Sequence, residues 1–278
     1  MGSANVDTFL TVAALPRPGE TVLASAMAVA PGGKGANQSV AAARAGAAVQ
    51  LVGAVGQDRA AAELRAHLSA NGVGLDGLAE LSGPSGSAVV VVDGAGENLI
   101  VVAPGAGAHL SLASAAARAV IADCEVLMVS LEIPVDTAVA AAREARSVGA
   151  TVILNASPAG GAELTELAGL ADVVVLNATE EPSWRWPVPH LVVTSGASGV
   201  RYRGDGGDFA LAAPPVEPVD TTGAGDVFAG VLAADWHLGV ATALRRAVTA
   251  GALATLVAGA GDSAPTREAV DDALAERR

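Results

Sequence analysis

The chain has 278 residues, of which 51% are hydrophobic, 16% charged and 3% aromatic, so its large core must be built mainly from Val, Leu and Ala. A net charge of −13 argues against a nucleic-acid partner, because no basic stripe is present to neutralise phosphates. One cysteine and four scattered histidines exclude a disulfide framework and a Cys- or His-clustered metal site. Since the sequence contains neither a membrane-spanning run nor a signal peptide, we expect a cytoplasmic protein without a membrane partner.

Two pairs of short strands are predicted in the N-terminal half, each pair flanking a Gly-containing turn. These strands are 8–12, 21–29, 87–92 and 99–102. We expect them to form a small sheet, drawn from about 8–29 and 87–103, apart from the main layer. Because no linker or repeat separates this sheet, we predict a single domain over residues 1–278.

Val-rich runs alternate with helical segments through the remainder of the chain. The predicted strands are 49–52, 126–129, 151–154, 173–176 and 191–194, and the predicted helices include 61–70, 112–122 and 135–148. Continuous apolar strands that alternate with helices indicate a parallel sheet covered on both faces. The sequence therefore predicts an α/β fold.

A glycine-rich segment, Gly32–Gln38, precedes an Ala-rich helix. Its glycines permit close approach of the backbone to a ligand, and Lys34 and Asn37 offer polar groups. The spacing is not that of a Walker A loop. A structural glycine turn explains the segment equally well.

Polar side chains that could bind a ligand occur near three of the predicted strands. Asn5 and Asp7 alternate, so they share one strand face and could bind vicinal hydroxyls. Glu132 follows one predicted strand, and Asn177 and Glu180 follow another, at the carboxyl edge where ligands of open α/β sheets bind. Oxygen ligands at this edge could hold Mg²⁺ through water. Taken singly, each residue also fits a turn, a strand end or a helix start.

The segment Asp220–Asp226 lies between a proline-rich loop and an apolar run with helical spacing. Small residues at a helix N-terminus leave outward-pointing N–H groups at the positive end of the helix dipole, where anions bind. Asp226 in the first turn would stand beside such an anion. An anion cradle with an adjacent carboxylate suits phosphoryl transfer, although a simple helix cap is the alternative.

Together and in this order, the segments resemble the signature set of the ribokinase-like sugar kinases, the phosphofructokinase-B family. The matching segments are 2–7, 32–38, 56–58, 177–180 and 220–226, and the lid segment 95–100 and Leu131-Glu132 resemble the ribokinase subgroup. The resemblance covers residues 2 to about 274. It implies a three-layer α/β/α fold with a mostly parallel central sheet and a small β-sheet lid. It also implies ATP-dependent transfer of the γ-phosphoryl group to the 5-hydroxyl of D-ribose.

The resemblance assigns roles to individual positions. Asp226 would be the general base for the sugar hydroxyl, with backbone N–H groups of Gly223, Ala224 and Gly225 stabilising the developing charge. The implied sugar-binding positions are Asn5, Asp7, Gly33, Lys34, Asn37, Glu132 and Asp226, and Lys34 is also the candidate to reach the phosphates. The implied ATP positions are Asn177, Glu180, Thr194, Ser195, Gly196, Gly199 and Gly225, with Asn177 and Glu180 organising Mg²⁺. An activating K⁺ would be held by Asp220, Thr222, Ala254, Val257, Gly259 and Ser263.

The implied lid closes over the sugar, excludes water and pairs two subunits, which predicts a homodimer. A kinase of another small sugar or of a nucleoside is the alternative within the family. The lid segments 89–92 and 99–102 carry no aromatic side chain to stack a base, which favours a sugar. A catalytically silent sugar-binding relative is a further alternative, against which the intact Asp226 argues.

Two departures from the family pattern are visible. Family members carry an apolar strand before the segment matched by 2–7, so we expect either an upstream natural start or another segment in that place. After Glu180, residues 181–189 contain three prolines, which forbid a full helix. We expect the two tryptophans of this segment to shield an edge that a helix would otherwise cover.

Overall fold

The structure is a computed structural model, and it describes residues 1–276. The strands are β1 (Asn5–Thr11), β2 (Ala26–Gly32), β3 (Val49–Gln50), β4 (Gly53–Val55), β5 (Val73–Gly74), β6 (Leu78–Glu80), β7 (Gly86–Val92), β8 (Asn98–Ala103), β9 (Val126–Ser130), β10 (Thr151–Asn155), β11 (Val173–Asn177), β12 (His190–Thr194), β13 (Val200–Gly204) and β14 (Phe209–Leu211). The α-helices are α1 (Lys34–Arg44), α2 (Arg59–Ala70), α3 (Ala115–Ala122), α4 (Val135–Ser147), α5 (Thr165–Leu170), α6 (Ala224–Asp235), α7 (Val240–Ala254) and α8 (Arg267–Ala275).

The main sheet has six strands in the order β14-β13-β12-β11-β10-β9. Strands β9 to β12 are parallel, and β13 and β14 are added antiparallel at one edge. Along β11, Val174 and Leu176 pack with α3, α4 and α5, whereas Val173 and Val175 pack with α1, α6, α7 and α8. Both faces of the parallel part of the sheet are therefore covered, which confirms the α/β prediction and explains why β9 to β12 are largely apolar.

The small sheet has the order β2-β1-β7-β8. β1 pairs antiparallel with β2 and parallel with β7, and β8 completes an antiparallel hairpin with β7. One face of this sheet carries exposed apolar side chains, including those of Met27, Val29, Leu99 and Val101. We call this four-stranded sheet the lid sheet.

Several predicted bounds were wrong. Of the predicted strand 49–52, only Val49–Gln50 forms a strand, β3, which pairs with β5; β4 follows after it and pairs with β6. The predicted strand 21–29 begins only at Ala26, since its partner β1 ends opposite that residue at Thr11. The helix predicted over 112–122 begins at Ala115, where the Ser114 hydroxyl caps its first turn.

The first two residues lie between the main sheet and the short strands. Met1 O accepts a hydrogen bond from Ser130 N (3.2 Å), and Gly2 N donates to Val52 O (3.1 Å). Met1 and Gly2 thus satisfy backbone groups at the end of β9 and beside β4.

The segment after Glu180 forms a single 3₁₀ turn, Glu181–Ser183, and then an irregular stretch up to β12. The rings of Trp184 and Trp186 meet edge to face with centroids 5.0 Å apart, and both pack against the core on the α3–α5 side. The absence of an α-helix in 181–189 agrees with its three prolines. Within residues 1–276, no helix has both the length and the apolarity needed to cross a bilayer.

Candidate functional site

The first turns of α1 and α6 lie side by side. The two helices pack closely at Gly230, where an added Cβ would overlap the carbonyl oxygen of Gln38 and approach Ala41 within 2.8 Å. Because glycine is the residue that permits this approach, the N-terminal polar residues of α1 reach the N-terminus of α6. The candidate site is built around this contact.

The carboxylate of Asp226 is buried and accepts two hydrogen bonds from α1. Asn37 Nδ2 donates to Asp226 Oδ2 (3.0 Å), and Gln38 Nε2 donates to Oδ1 (2.9 Å). Its side chain is 8% exposed. The structure therefore brings together Asn37 and Asp226, as predicted, and adds Gln38, which the sequence analysis did not assign to the site.

Asn5 and Asp7 share one face of β1, as their alternation predicts. The Asp7 carboxylate lies over Gly32 and the Asn5 amide lies over Gly86, so closely that a Cβ on either glycine would overlap these side chains. Asp7 Oδ1 is buried and has no hydrogen-bond partner within the described chain. A buried carboxylate oxygen without a donor fits a ligand hydroxyl at this position.

Asp7 is partly buried and lies near other acidic side chains. Burial, with the nearby carboxylates of Glu132 and Asp226, raises the pKa of Asp7 from 3.8 to about 6. Hydroxyl donors from a ligand would stabilise its ionised form. Asp7 thus belongs to an acidic cluster with Glu132 and Asp226, and carboxylates of this kind can accept hydrogen bonds from ligand hydroxyls.

Glu132 lies just beyond β9, at the carboxyl edge of the sheet, as predicted. Its Oε2 accepts hydrogen bonds from the Ser3 hydroxyl and from the backbone N–H of Lys34 (3.2 Å). Gly33 caps α1 with φ +88°, and an added Cβ would stand 2.9 Å from Asn5 N. The start of α1 is therefore fixed against both Glu132 and β1.

The ammonium group of Lys34 is largely buried among acids. Burial alone would lower its pKa, but the carboxylates of Asp226, Glu132 and Glu180 outweigh this effect and raise the pKa of Lys34 above its ordinary value. Lys34 therefore carries a positive charge at neutral pH. It also lines the neighbouring cleft, so one residue connects the acidic cluster with that cleft.

A polar cleft of about 150 Å³ opens beside Asp226 at the carboxyl ends of β10, β11 and β12. Its lining residues are Lys34, Asn155, Ser157, Val175, Leu176, Asn177, Glu180, Thr194, Gly223, Gly225 and Asp226. Ligands of open α/β sheets bind at this edge. Asn155 Oδ1, at the end of β10, is buried and has no hydrogen-bond partner among residues 1–276. This acceptor fits a hydrogen-bond donor from a ligand or from water.

The N-terminus of α6 provides an anion cradle at one wall of the cleft. Gly223 caps the helix with φ +74°, and an added Cβ would lie 2.7 Å from Ala260 Cα. By contrast, an added Cβ at Gly225 would meet no atom within 4 Å. The space in front of Ala224 and Gly225 is therefore open to an anion, towards which first-turn N–H groups point.

Asn177 and Glu180 close a turn at the rim of the cleft. Asn177 Oδ1 accepts from the N–H groups of Thr179 and Glu180 (both 2.9 Å), and Glu180 Oε2 accepts from Asn177 N (2.9 Å). The pair therefore has a structural role as well as its place in the cleft. Oxygen and amide groups fixed in this way suit indirect Mg²⁺ binding through water.

Thr194 ends β12 and lines the cleft, whereas Ser195, Gly196 and Gly199 form a tight turn just beyond it. Ser195 N donates to Gly199 O (2.8 Å). Gly199 has φ +88°, and its Cα approaches the backbone of Leu211 too closely for a Cβ. The predicted nucleotide loop is thus a rigid turn with only its first residue in the cleft wall.

The residues proposed for K⁺ lie on two loops that touch. Asp220 Oδ1 accepts from Thr222 N and Oδ2 from Gly259 N (both 2.9 Å), which lowers the pKa of Asp220 although burial opposes this. The buried Ser263 hydroxyl donates to Ala260 O (2.6 Å). In the chain as described, no cluster of three or more His, Cys, Asp or Glu side chains could hold a metal. Any cation here would depend on backbone carbonyls, such as that of Ala254 at the end of α7 and that of Val257 in the segment that follows.

Four polar residues of the site were missed by the sequence analysis: Ser3, Gln38, Asn155 and Ser157. Asn155 directly follows the predicted strand 151–154, so the rule that ligands bind at the carboxyl edge could have found it. Ser3 and Gln38 lie inside recognised motifs but gain their roles from contacts with Glu132 and Asp226, over 100 residues away.

Phe9 is an aromatic residue of the lid sheet that lies outside the segments 89–92 and 99–102. It lies two residues beyond Asp7 on the same face of β1, within the lid sheet. The lid sheet therefore does carry an aromatic side chain on the face that bears Asn5 and Asp7.

Comparison with known proteins places this geometry in a family. The family model of the pfkB family carbohydrate kinases matches residues 1–185 and 187–267. The ribokinase of Bacillus subtilis is 34% identical over 286 residues, covering 99% of this chain and 98% of the relative.

Solved structures agree. The crystal structure of ribokinase from Thermotoga maritima superposes with a TM-score of 0.88 at 30% identity, covering 99% of this chain and 97% of that one. The structure of Arabidopsis thaliana ribokinase complexed with ribose and ATP gives a TM-score of 0.89 at 28% identity, covering 98% and 96%. These matches confirm the predicted ribokinase-like α/β fold, and this chain belongs to the pfkB family of carbohydrate kinases.

Proposed function

We propose that this protein is an ATP-dependent kinase that transfers the γ-phosphoryl group to the 5-hydroxyl of D-ribose. The observation that carries the proposal is the position of the Asp226 carboxylate. This carboxylate lies near the acidic side chain of Asp7, which itself lies near Glu132, and it also lines the cleft beside the anion cradle at the start of α6. A base between an alcohol site and a phosphate site is what phosphoryl transfer to an alcohol requires.

In the proposed reaction, Asn5, Asp7, Asn37 and Glu132 hold the sugar hydroxyls and Gly33 shapes the pocket floor. The 5-hydroxyl oxygen attacks the γ-phosphorus, and its proton passes to Asp226. The new O–P bond forms as the bond from the γ-phosphorus to the β,γ-bridging oxygen breaks, and ADP leaves with that oxygen. Transfer of this kind depends mainly on positioning and charge neutralisation.

The negative charge that develops on the phosphoryl group is stabilised by N–H groups of Gly223, Ala224 and Gly225 and by Lys34, which is held in its charged form. The residues proposed to bind the nucleotide are Asn177, Glu180, Thr194, Ser195, Gly196 and Gly199. Mg²⁺, when bound near Asn177 and Glu180, would neutralise further phosphate charge. The charged Lys34 in the cleft wall supports a phosphate-bearing ligand there.

We further propose K⁺ as an activator held by Asp220, Thr222, Ala254, Val257, Gly259 and Ser263. Support comes from the bonds of Asp220, which tie the 220–223 loop to Gly259 next to the cradle. An ion here would fix the N-terminus of α6 without contacting the sugar.

The lid sheet is proposed to close over the sugar and to pair two copies of the chain in a homodimer. Its exposed apolar residues on one face support this: Met27, Val29, Leu99 and Val101 are 71%, 55%, 43% and 59% exposed. Contiguous apolar surface of this kind marks an interaction site. Since ATP is the phosphoryl donor, we place the reaction in the cytoplasm.

A coupled ADP-release assay with pentoses, hexoses and nucleosides tests the proposal on wild type and on Asp226→Asn. We expect ribose-dependent turnover in the wild type and a loss of about 10²–10⁴-fold in kcat in the variant. Asp272→Asn, which removes an exposed carboxylate from α8, serves as the matched control and should retain activity. Sugar-dependent turnover that survives Asp226→Asn would contradict the base assignment.

A nucleoside is the second candidate substrate, and Phe9 is the observation that favours it, because an aromatic ring can stack on a base. If the acceptor is a nucleoside, Phe9→Val should raise the KM for the nucleoside far more than the KM for ribose. Turnover on nucleosides alone would contradict the ribose proposal.

A further inference from the structure

Gln38 is a buried polar residue of the site to which the proposed reaction gives no role. Its side chain is 4% exposed and its Nε2 donates to Asp226 Oδ1 at 2.9 Å. The preceding residue, Asn37, donates to the other oxygen, Oδ2, at 3.0 Å. Each oxygen of the carboxylate therefore has its own amide donor, and the plane of the carboxylate is fixed.

The main chain of Gln38 is held as firmly as its side chain. Its carbonyl oxygen lies against Gly230, one turn beyond Asp226 on α6, with no space for a Cβ between them. The distance from the Gln38 amide to Asp226 is thus set by the packing of two helices. Side chains on packed helices hold a catalytic group more accurately than side chains on loops.

The two amides differ in what else they can do. Asn37 is among the residues proposed to hold a sugar hydroxyl, so its donor is required by the ligand. Gln38 is the next residue of α1, and Asp226 is the one proposed site residue to which its side chain is hydrogen-bonded among those described. When Asn37 turns to the sugar, Gln38 is the donor that stays with Asp226.

We infer that Gln38 is a positioning residue that holds Asp226 Oδ1, so that Oδ2 stays directed towards the attacking hydroxyl. The inference rests on the proposed function, in which Asp226 accepts the proton. Other charged groups lie near this carboxylate: Lys34 from α1 and Asp7 from β1, each of which also lies near Glu132 in the segment after β9. Gln38 supplies a neutral donor against the two acids without competing for the proton.

The test uses Gln38→Met, which keeps the length and volume of the side chain but removes the donor. We expect kcat with ribose to fall by about 10- to 100-fold, the range for loss of a hydrogen bond to a charged group. The KM for ribose should change by no more than about twofold, because Gln38 is not proposed to touch the sugar. The acidic limb of the kcat/KM profile should move to higher pH, since the ionised carboxylate loses a donor.

Ser39→Ala is the matched control. Ser39 is the next buried residue of α1, and its hydroxyl donates only within the helix, to Gly35 O at 2.7 Å. The Ser39→Ala variant should leave kcat and the pH profile unchanged. Melting temperatures of both variants check that the fold is retained.

A double-mutant cycle separates positioning from a structural effect. If Gln38 acts through Asp226, adding Gln38→Met to Asp226→Asn should cost little further activity. An equal loss in both backgrounds, or an unchanged pH profile, overturns the inference. If Gln38→Met fails to fold, Gln38→Glu replaces it, and its activity should recover as the pH falls and the new carboxyl becomes a donor.

Failure of the inference is distinguishable from failure of the proposed function. A wild type without ribose-dependent ADP release contradicts the function. A wild type that is active, an Asp226→Asn that is not, and a Gln38→Met equal to wild type contradict only the role of Gln38.

Discussion

The carboxylate of Asp7 lies directly over Gly32, and it fits there because Gly32 has no side chain. The two residues belong to paired strands, since β1 and β2 run antiparallel with Asn5 opposite Gly32. A Cβ on Gly32 would overlap the Asp7 carboxyl group. Gly32 is therefore required by the proposed sugar pocket and not by its own backbone conformation.

Gly32→Ala should raise the KM for the sugar by about 10-fold or more, because the Asp7 carboxylate must move by a large part of an ångström. The effect on kcat should be smaller, since Asp226 is not displaced. Steady-state kinetics with ribose as the varied substrate measure both. Gly169→Ala, on the exposed side of α5 where a Cβ meets no atom within 4 Å, is the control; equal KM values for the two variants would contradict the close contact.

Gly223 and Gly225 should respond to alanine in opposite ways. Gly225→Ala adds a methyl group in the open space of the cleft, so we expect the KM for ATP to rise or kcat to fall about 10-fold, with no loss of stability. Gly223→Ala forces a Cβ against Ala260 at φ +74°, and should cost roughly 1–3 kcal/mol of stability. Thermal melts and ATP kinetics on both variants check the contrast, and a destabilised Gly225→Ala with normal kinetics would contradict it.

Asp7 should make the stability of the sugar-free protein pH-dependent. Its folded pKa, about 6, lies above the value of 3.8 expected in the unfolded chain. A raised pKa means that the folded state binds the proton more tightly, so this contribution to stability is present below about pH 4 and is lost as the pH rises through 6. The loss amounts to about 3 kcal/mol at most.

Asp7→Asn removes this titration. We expect the variant and the wild type to melt alike near pH 4 and the variant to melt higher at pH 8, while its KM for ribose rises. Melting temperatures between pH 4 and 8 give the comparison. A melting difference that does not grow with pH would show that Asp7 is not the titrating group.

Arg246 closes a buried ion-pair network behind the site. Its Nε lies 2.6 Å from Oδ2 of Asp235, which is 0% exposed, and its second donor group binds Asp271 of α8. Removing the cation leaves a buried carboxylate whose nearest remaining cation, Arg267, is 3.7 Å away. Arg246→Met should therefore cost about 3 kcal/mol and lower the melting temperature by about 5–10 °C. Arg245→Met, at the exposed neighbouring position, is the control, and equal melting temperatures would contradict the prediction.

The lid sheet illustrates what the sequence could and could not predict. Alternation and turn residues were enough to identify its four strands, because both signals are local. The start of β2 at Ala26 was not predictable in this way, since it depends on where the partner strand β1 ends. Phe9, by contrast, lies in the predicted strand 8–12, so its place in the lid sheet was predictable from the sequence.

The site followed the same division. Asp226, Asn37, Asp7 and Glu132 were predicted from motifs and strand ends, and the structure brings them into one pocket with Lys34. Asn155 and Gln38 were not predicted, because an asparagine at a strand end and a glutamine in a helix have many ordinary roles. Their importance appears only from the cleft that one lines and the carboxylate that the other contacts.

The sequence by itself determined the family, the α/β alternation and the kinds of group at the site, because these depend on residue identity, spacing and order along the chain. Only the tertiary structure decided how those groups act together. The two amides on Asp226 come from α1, 188 and 189 residues away, and the raised pKa of Asp7 comes from burial and from acids on other elements. Electrostatic and packing effects of this kind depend on distances through space, which the order of residues does not record.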